Sequence, residues 1–139
     1  MVKLRPNVWF KADLPYDAIY AEDGNELQFA GQAVARVVAE MLRARGYRVD
    51  EPENQYESGW SFEAYRERQR FWLQVTFIDG YILQTQDMTW RLLPSKAAFV
   101  GFLRDLEDDL QSDPRFSEMR WWVKDWPPTA DESFRSPVE

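Results

Sequence analysis

The hydrophobic period of this chain changes twice along its length, and those two changes restrict it to few architectures. Between residues 26 and 45, Leu27, Ala30, Val34, Val37, Val38 and Met41 fall in one stripe at helical spacing. Gln28, Gln32, Arg36, Glu40 and Arg43 occupy the other side. Asn25 is the expected N-cap, Glu26 sits at the positive end of the helix dipole, and Gly46 is placed to end the helix. Arg43 and Arg45 lie near its negative end, where cations are favoured. From 47 to 93 the period is two. Tyr47-Arg48-Val49 predicts a short strand closed by Pro52. Trp60, Phe62 and Ala64 alternate with Ser61, Glu63 and Tyr65, and Phe71, Leu73, Val75 and Phe77 alternate again. Asp79-Gly80 signals a two-residue hairpin, with the returning strand at 81–86.

The helical period returns after Pro94-Ser95, with Ser95 as candidate N-cap and Phe99, Phe102, Leu103, Leu106 and Leu110 as the buried stripe. Asp113-Pro114 stops this helix, and 118–124 predicts a last strand. Val8 to Ala12 predicts a short first one. The order is helix, several strands, helix, strand. It implies an α+β two-layer sandwich: an antiparallel sheet of about four to six strands with two main helices on one face. Residues 1–126 are expected to form one domain, and the polar, proline-rich 127–139 a flexible tail.

Composition decides how such a sandwich is held and what chemistry it can carry. Among 139 residues there is neither cysteine nor histidine, while seven Trp, six Tyr and nine Phe supply core material. Each buried aromatic removes roughly 150–250 Å² from water, so packing alone can stabilise the fold. The residues most easily recruited to neutral-pH acid–base, nucleophilic or metal chemistry are missing. The opening MVKLRPNVWFKADLP has no apolar signal core, and no stretch nears the ~20 residues of a membrane span. A cytoplasmic protein with no membrane attachment is therefore expected. The net charge of −7 disfavours nucleic acid and favours a basic partner.

Two groups of residues are candidate partner contacts. Asp105, Asp108 and Asp109, with Glu107 and Asp113, spread over the arc of the second helix left free by its leucines. They read as a docking face for a basic protein, or as a solvated helix face. Trp121-Trp122 lies in a strand, so one ring should enter the core and the other should not. Trp122 is the candidate interface anchor, unless the tail or N-terminal segment covers it. Trp72 is out of phase with Phe71, Leu73 and Val75 and should face away from the core; Trp90 joins the same aromatic set. Arg66, Arg68 and Arg70 beside Tyr65 and Phe71 could suit a nucleic acid, but with Glu67 among them they read as a polar hairpin connection. The acidic run lacks the alternating loop of a calcium hand, and no metal or cofactor is expected. Asp79 and Asp87 at hairpin ends are the carboxylates that a small hydrolase would need to bring together.

On Asp105-Leu106-Glu107-Asp108-Asp109, Trp121-Trp122 and the Trp60–Phe62 strand, the chain resembles the small acidic immunity proteins of interbacterial competition systems, which neutralise bacterial toxins. Size, acidity, the lack of cysteine and histidine and the α+β layout carry the likeness, and no residue roles transfer with it. It implies a non-enzymatic protein that occludes the active site of a basic toxin. A second resemblance is to the acidic chaperones of type III secretion, which would imply a homodimer holding an unfolded segment. A DNA mimic is disfavoured by 17 basic residues mixed through the sequence.

Overall fold

Seven strands of the computed structural model pair into one antiparallel sheet, and both helices lie on the same face of it. Residues 3–92, 95–124, 127–128 and 132–138 are described. In chain order the elements are β1 (Asn7–Ala12), β2 (Ile19–Tyr20), β3 (Glu26–Gln28), α1 (Gln32–Ala44), β4 (Arg48–Val49), β5 (Glu53–Asn54), β6 (Trp60–Arg66), β7 (Gln69–Phe77), β8 (Tyr81–Asp87), α2 (Ala97–Ser112) and β9 (Phe116–Trp122). The spatial order is β4-β6-β7-β8-β1-β9, with β5 also pairing to β6, while β2 and β3 form a separate ribbon. The expected α+β sandwich is the observed one.

Strand alternation sorts the residues into two faces. One row across the core face runs Trp60, Val75, Leu83, Val8 and Trp121; the next row on the open face runs Ser61, Gln74, Gln84, Asn7 and Trp122. Onto the core face α1 lays Val34, Val38 and Leu42, and α2 lays Phe102, Leu103, Leu106 and Leu110, all fully buried. Phe71 stacks on Phe102 at 4.2 Å between ring centroids, with Tyr47 edge-on to Phe102 at 5.7 Å. Offset and edge-on contacts of this kind add about 0.5–1.5 kcal/mol beyond burial.

Several elements differ from their predicted form. The first helix begins at Gln32, not at 26, and Asn25 does not cap it. Residues 26–28 instead pair with 19–20, and Leu27 is exposed. The cap comes from a distance: Asp17 accepts from the Gly31 N–H at 3.0 Å and the Ala33 N–H at 2.8 Å. A carboxylate there satisfies free amides and complements the helix dipole. The β7–β8 connection has three residues, Ile78-Asp79-Gly80, between the paired Phe77 and Tyr81. Gly80 has φ 129°, and a Cβ there would sit 2.5 Å from the Trp9 ring, so that residue must be glycine. β9 starts two residues earlier than expected.

The segment expected as a free tail is docked where it is described. Phe134 exchanges two backbone hydrogen bonds with Trp121 at 2.7 and 2.8 Å, extending the sheet beyond β9. Val138 bridges to Leu4 and is buried, and the Arg5 guanidinium lies 3.6 Å over the Phe134 ring. Apolar burial and a cation–π contact outweigh the polar composition from which flexibility was read. Among the described residues no helix is long and apolar enough to cross a membrane.

Candidate functional site

The acids of α2 do not form the expected docking face. Asp105 takes hydrogen bonds from Arg45 at 3.0 Å and from the Tyr47 hydroxyl at 3.1 Å, and Arg66 lies 3.9 Å away. Asp109 accepts from the other side of the Arg45 fork at 2.9 Å. Arg66 also stacks over the Tyr47 ring at 3.8 Å and donates to the Arg45 carbonyl. These carboxylates face inward because the ends of α1 and of β6 bring two arginines against α2. Only Asp108 of the three named acids is exposed. The network pins helix to helix and helix to sheet. Burial first, then the Asp105 charge, pushes the Tyr47 phenol up to about 12, so it remains a neutral donor.

Trp122 is likewise not a free anchor. It lies on the face away from the helices, as alternation requires, but is only 2% exposed. Lys3, Pro128, Glu132 and Phe134 share a cavity wall with it, and its indole N–H donates to the Lys124 carbonyl. The N-terminal segment and the tail therefore cover it. Trp72 faces off the core as expected, flanked across the strands by Glu63 and Gln86, and is half-buried. Trp90 is 83% exposed, beside exposed Met88 and Leu92. Asp79 and Asp87 do not meet: Asp79 lies in the turn before β8 and Asp87 at its far end, about 25 Å away. Asp87 is instead held by Arg91 at 2.8 Å and the Thr89 amide at 3.0 Å. Arg70 forks onto Glu63 with both contacts at 2.7 Å, consistent with a polar hairpin connection.

A different surface gathers the exposed apolar side chains. Of the eleven large hydrophobics exposed among the described residues, seven lie at the end of the sheet where β7 turns into β8. They are Tyr16, Ile19 and Tyr20, Leu27 of β3, Tyr56, and Phe77 and Ile78 of the turn. Tyr16 ties the group together: its ring meets Phe77 edge-on at 5.2 Å, and its hydroxyl is 2.9 Å from that of Tyr20. Behind it, the Trp60 indole donates to the Phe29 carbonyl at 2.9 Å and fixes the segment leading into α1. Gly59, with φ 99°, lets the chain pass so close to β7 that a Cβ would lie 2.0 Å from the Val75 carbonyl oxygen. Between these pieces runs a cleft of about 230 Å³ lined by Tyr16, Glu26, Phe29, Ala30, Glu57, Gly59, Thr76, Phe77 and Ile78.

The segments that build this surface carry charge of one sign; a base at its margin, Lys11 of β1, feels the Asp79 charge but is paired with Glu118 at 2.9 Å. Segments 12–35, 49–65 and 71–90 contain no lysine or arginine and hold 12 of the 24 acids. Glu22, Asp23, Glu26, Glu57 and Asp79 belong to the ribbon, the Tyr56 turn and the hairpin at this end. Neither Glu26 nor Glu57 forms an ion pair among the described residues. The Tyr16 phenol is pushed up to about 12, first by its bond to Tyr20, then by burial, with the Glu26 charge adding to it. The opposite end of β7, about 25 Å away, carries Arg66, Arg68, Arg70 and Arg91. Spacing arguments passed over the acidic end because its apolar residues come from four separate segments. The long runs without a base were the visible signal.

Among the described residues no three carboxylates come together in a way that could hold a metal ion. The chain matches no protein-family model, no curated protein and no solved structure.

Proposed function

We propose that this protein is a non-enzymatic cytoplasmic binding module that engages one basic, folded protein through its acidic aromatic end and neutralises it by occlusion. The observation that carries this reading is the coincidence of the exposed aromatic and aliphatic group with the base-free part of the sequence. An apolar patch rimmed mainly by charge of one sign is a surface for a partner of the opposite sign. Tyr16, Tyr20 and Phe77 are already braced against one another, so they lose little side-chain freedom on docking. The surrounding carboxylates raise the association rate, while desolvated rings slow dissociation. An immunity-type inhibitor of a toxin or enzyme is the class of protein that such a surface fits. The chaperone reading has less support, since on the open sheet face Trp72 stands among Ser61, Glu63, Gln74, Gln84 and Gln86, a mostly polar and so poor receptor for an unfolded apolar segment.

The test compares capture from native lysate by the wild type, by I78S/Y56S and by D108K. A stoichiometric basic protein retained by the wild type and D108K but lost by I78S/Y56S supports the reading. Equal retention by all three, or loss only in D108K, removes this surface from the mechanism.

A further inference from the structure

Resting on that reading, we propose that the cleft between Tyr16, Phe29 and Phe77 is the receptor for a single arginine side chain of the partner, with Glu26 and Glu57 as its carboxylate acceptors. The size of the cleft selects a side chain over a small molecule. At about 230 Å³ it falls below the ~300–1,000 Å³ of pockets that enclose drug-sized ligands. Its walls are aromatic and aliphatic, from Tyr16, Phe29, Ala30, Phe77 and Ile78, and its charged members are both acids. Apolar walls suit a methylene stem, and ring faces attract a cation.

The chemistry favours arginine over lysine. A guanidinium is planar, stacks on rings and presents five donors, enough to engage two carboxylates at once. An ammonium is a compact, strongly hydrated point charge and gains less from stacking. The acceptors are uncommitted: Glu63, Asp87, Asp105, Asp109 and Asp113 all have arginine partners within the chain, whereas Glu26 and Glu57 have none among the described residues. The cleft is also firmly built. The Thr76 hydroxyl donates to the Ser58 carbonyl at 2.6 Å, and Trp60 holds Phe29. Buried arginines that fill pockets are frequent hot spots, so this contact is expected to dominate the partner's residence time.

The probe is N-acetyl-arginine-N-methylamide, titrated into the full chain and followed by amide chemical shifts. Expected are saturable shifts at Glu26, Phe29, Glu57 and Thr76 with a Kd on the order of millimolar. In E26Q/E57Q the affinity should fall about tenfold or more, the loss anticipated for removing charge-assisted hydrogen bonds, while E53Q should match the wild type. The corresponding citrulline probe, which keeps the shape without the charge, should not bind. Absent shifts, equal binding of citrulline, or equal binding of a lysine probe, N-acetyl-lysine-N-methylamide, overturns the assignment. The two ideas fail separately. Capture of a basic partner at this surface without probe binding keeps the proposed function and discards the arginine pocket. Probe binding without any captured partner does the reverse.

Discussion

Replacing Asp105 by alanine tests whether the acids of α2 hold the fold or face a partner. Three contacts are lost: the Arg45 fork at 3.0 Å, the Tyr47 hydroxyl at 3.1 Å and the longer approach of Arg66 at 3.9 Å. The Arg45 pair is about one-third exposed, so its loss is expected to cost about 0.5 kcal/mol. Arg45 keeps Asp109, which limits that part further. Tyr47 is buried, and leaving its hydroxyl without an acceptor costs about 1–2 kcal/mol, reduced where water reaches the vacated site. A total near 2 kcal/mol follows, equivalent to a fall in Tm of about 7 °C for a chain of this length. Asp108→Ala, one turn along the same helix but exposed, should stay within about 0.5 kcal/mol of the wild type. Urea denaturation with unchanged slope gives both values. A second readout is spectroscopic: without the Asp105 charge the Tyr47 phenol should titrate lower than its present value of about 12, burial still keeping it above an ordinary tyrosine. Equal stabilities for the two variants, or an unmoved Tyr47 titration, would refute the account of a structural network.

Trp122→Ala should destabilise the protein by about 3–5 kcal/mol, since the ring is buried beneath the N-terminal segment and the tail; a stability loss below about 1 kcal/mol in chemical denaturation would restore it as a surface residue. Gly59→Ala combines a positive φ with a Cβ 2.0 Å from a backbone oxygen, so thermal melting should show a loss of several degrees or failure to fold, and a neutral outcome is incompatible with the chain path described. Stability should also fall in acid. Glu63 is held below its ordinary value by the Arg70 and Tyr65 hydrogen bonds, and Asp113 by Arg115; for Asp87 burial acts upward, but Arg91 and Thr89 outweigh it and the net shift is downward. A carboxyl with a folded-state pKa below its unfolded one contributes stability that is complete above the unfolded value and is lost as pH falls through the folded value. Unfolding free energy should therefore decline below about pH 4, and Glu63→Gln should flatten that decline; a profile identical to the wild type would count against the Arg70 pairing as its source.

What local sequence determined here is what periodicity can express. The buried stripe of α2 came straight from helical spacing, and the alternation through β6, β7 and β8 gave both their pairing and the face each residue occupies, because a strand shows opposite sides at successive positions. Trp72 off the core follows from that rule. The extent of α1 did not follow, since residues 26–31 fit a helical stripe equally well. The choice was made by the pairing of 26–28 with 19–20 and by a cap from Asp17, fourteen residues before Gly31. Whether a polar or aromatic side chain is available to a partner depends on what other segments lay over it, and that is a property of tertiary structure. Asp105 and Asp109 were spent on Arg45 only because α1 ends beside α2, and Trp122 was covered only because the two termini meet across β1 and β9. The acidic aromatic end shows the same dependence from the other side. Its residues are unremarkable in four stretches of sequence, and become one surface where the fold brings the ribbon, the Tyr56 turn and the β7–β8 hairpin to the same edge.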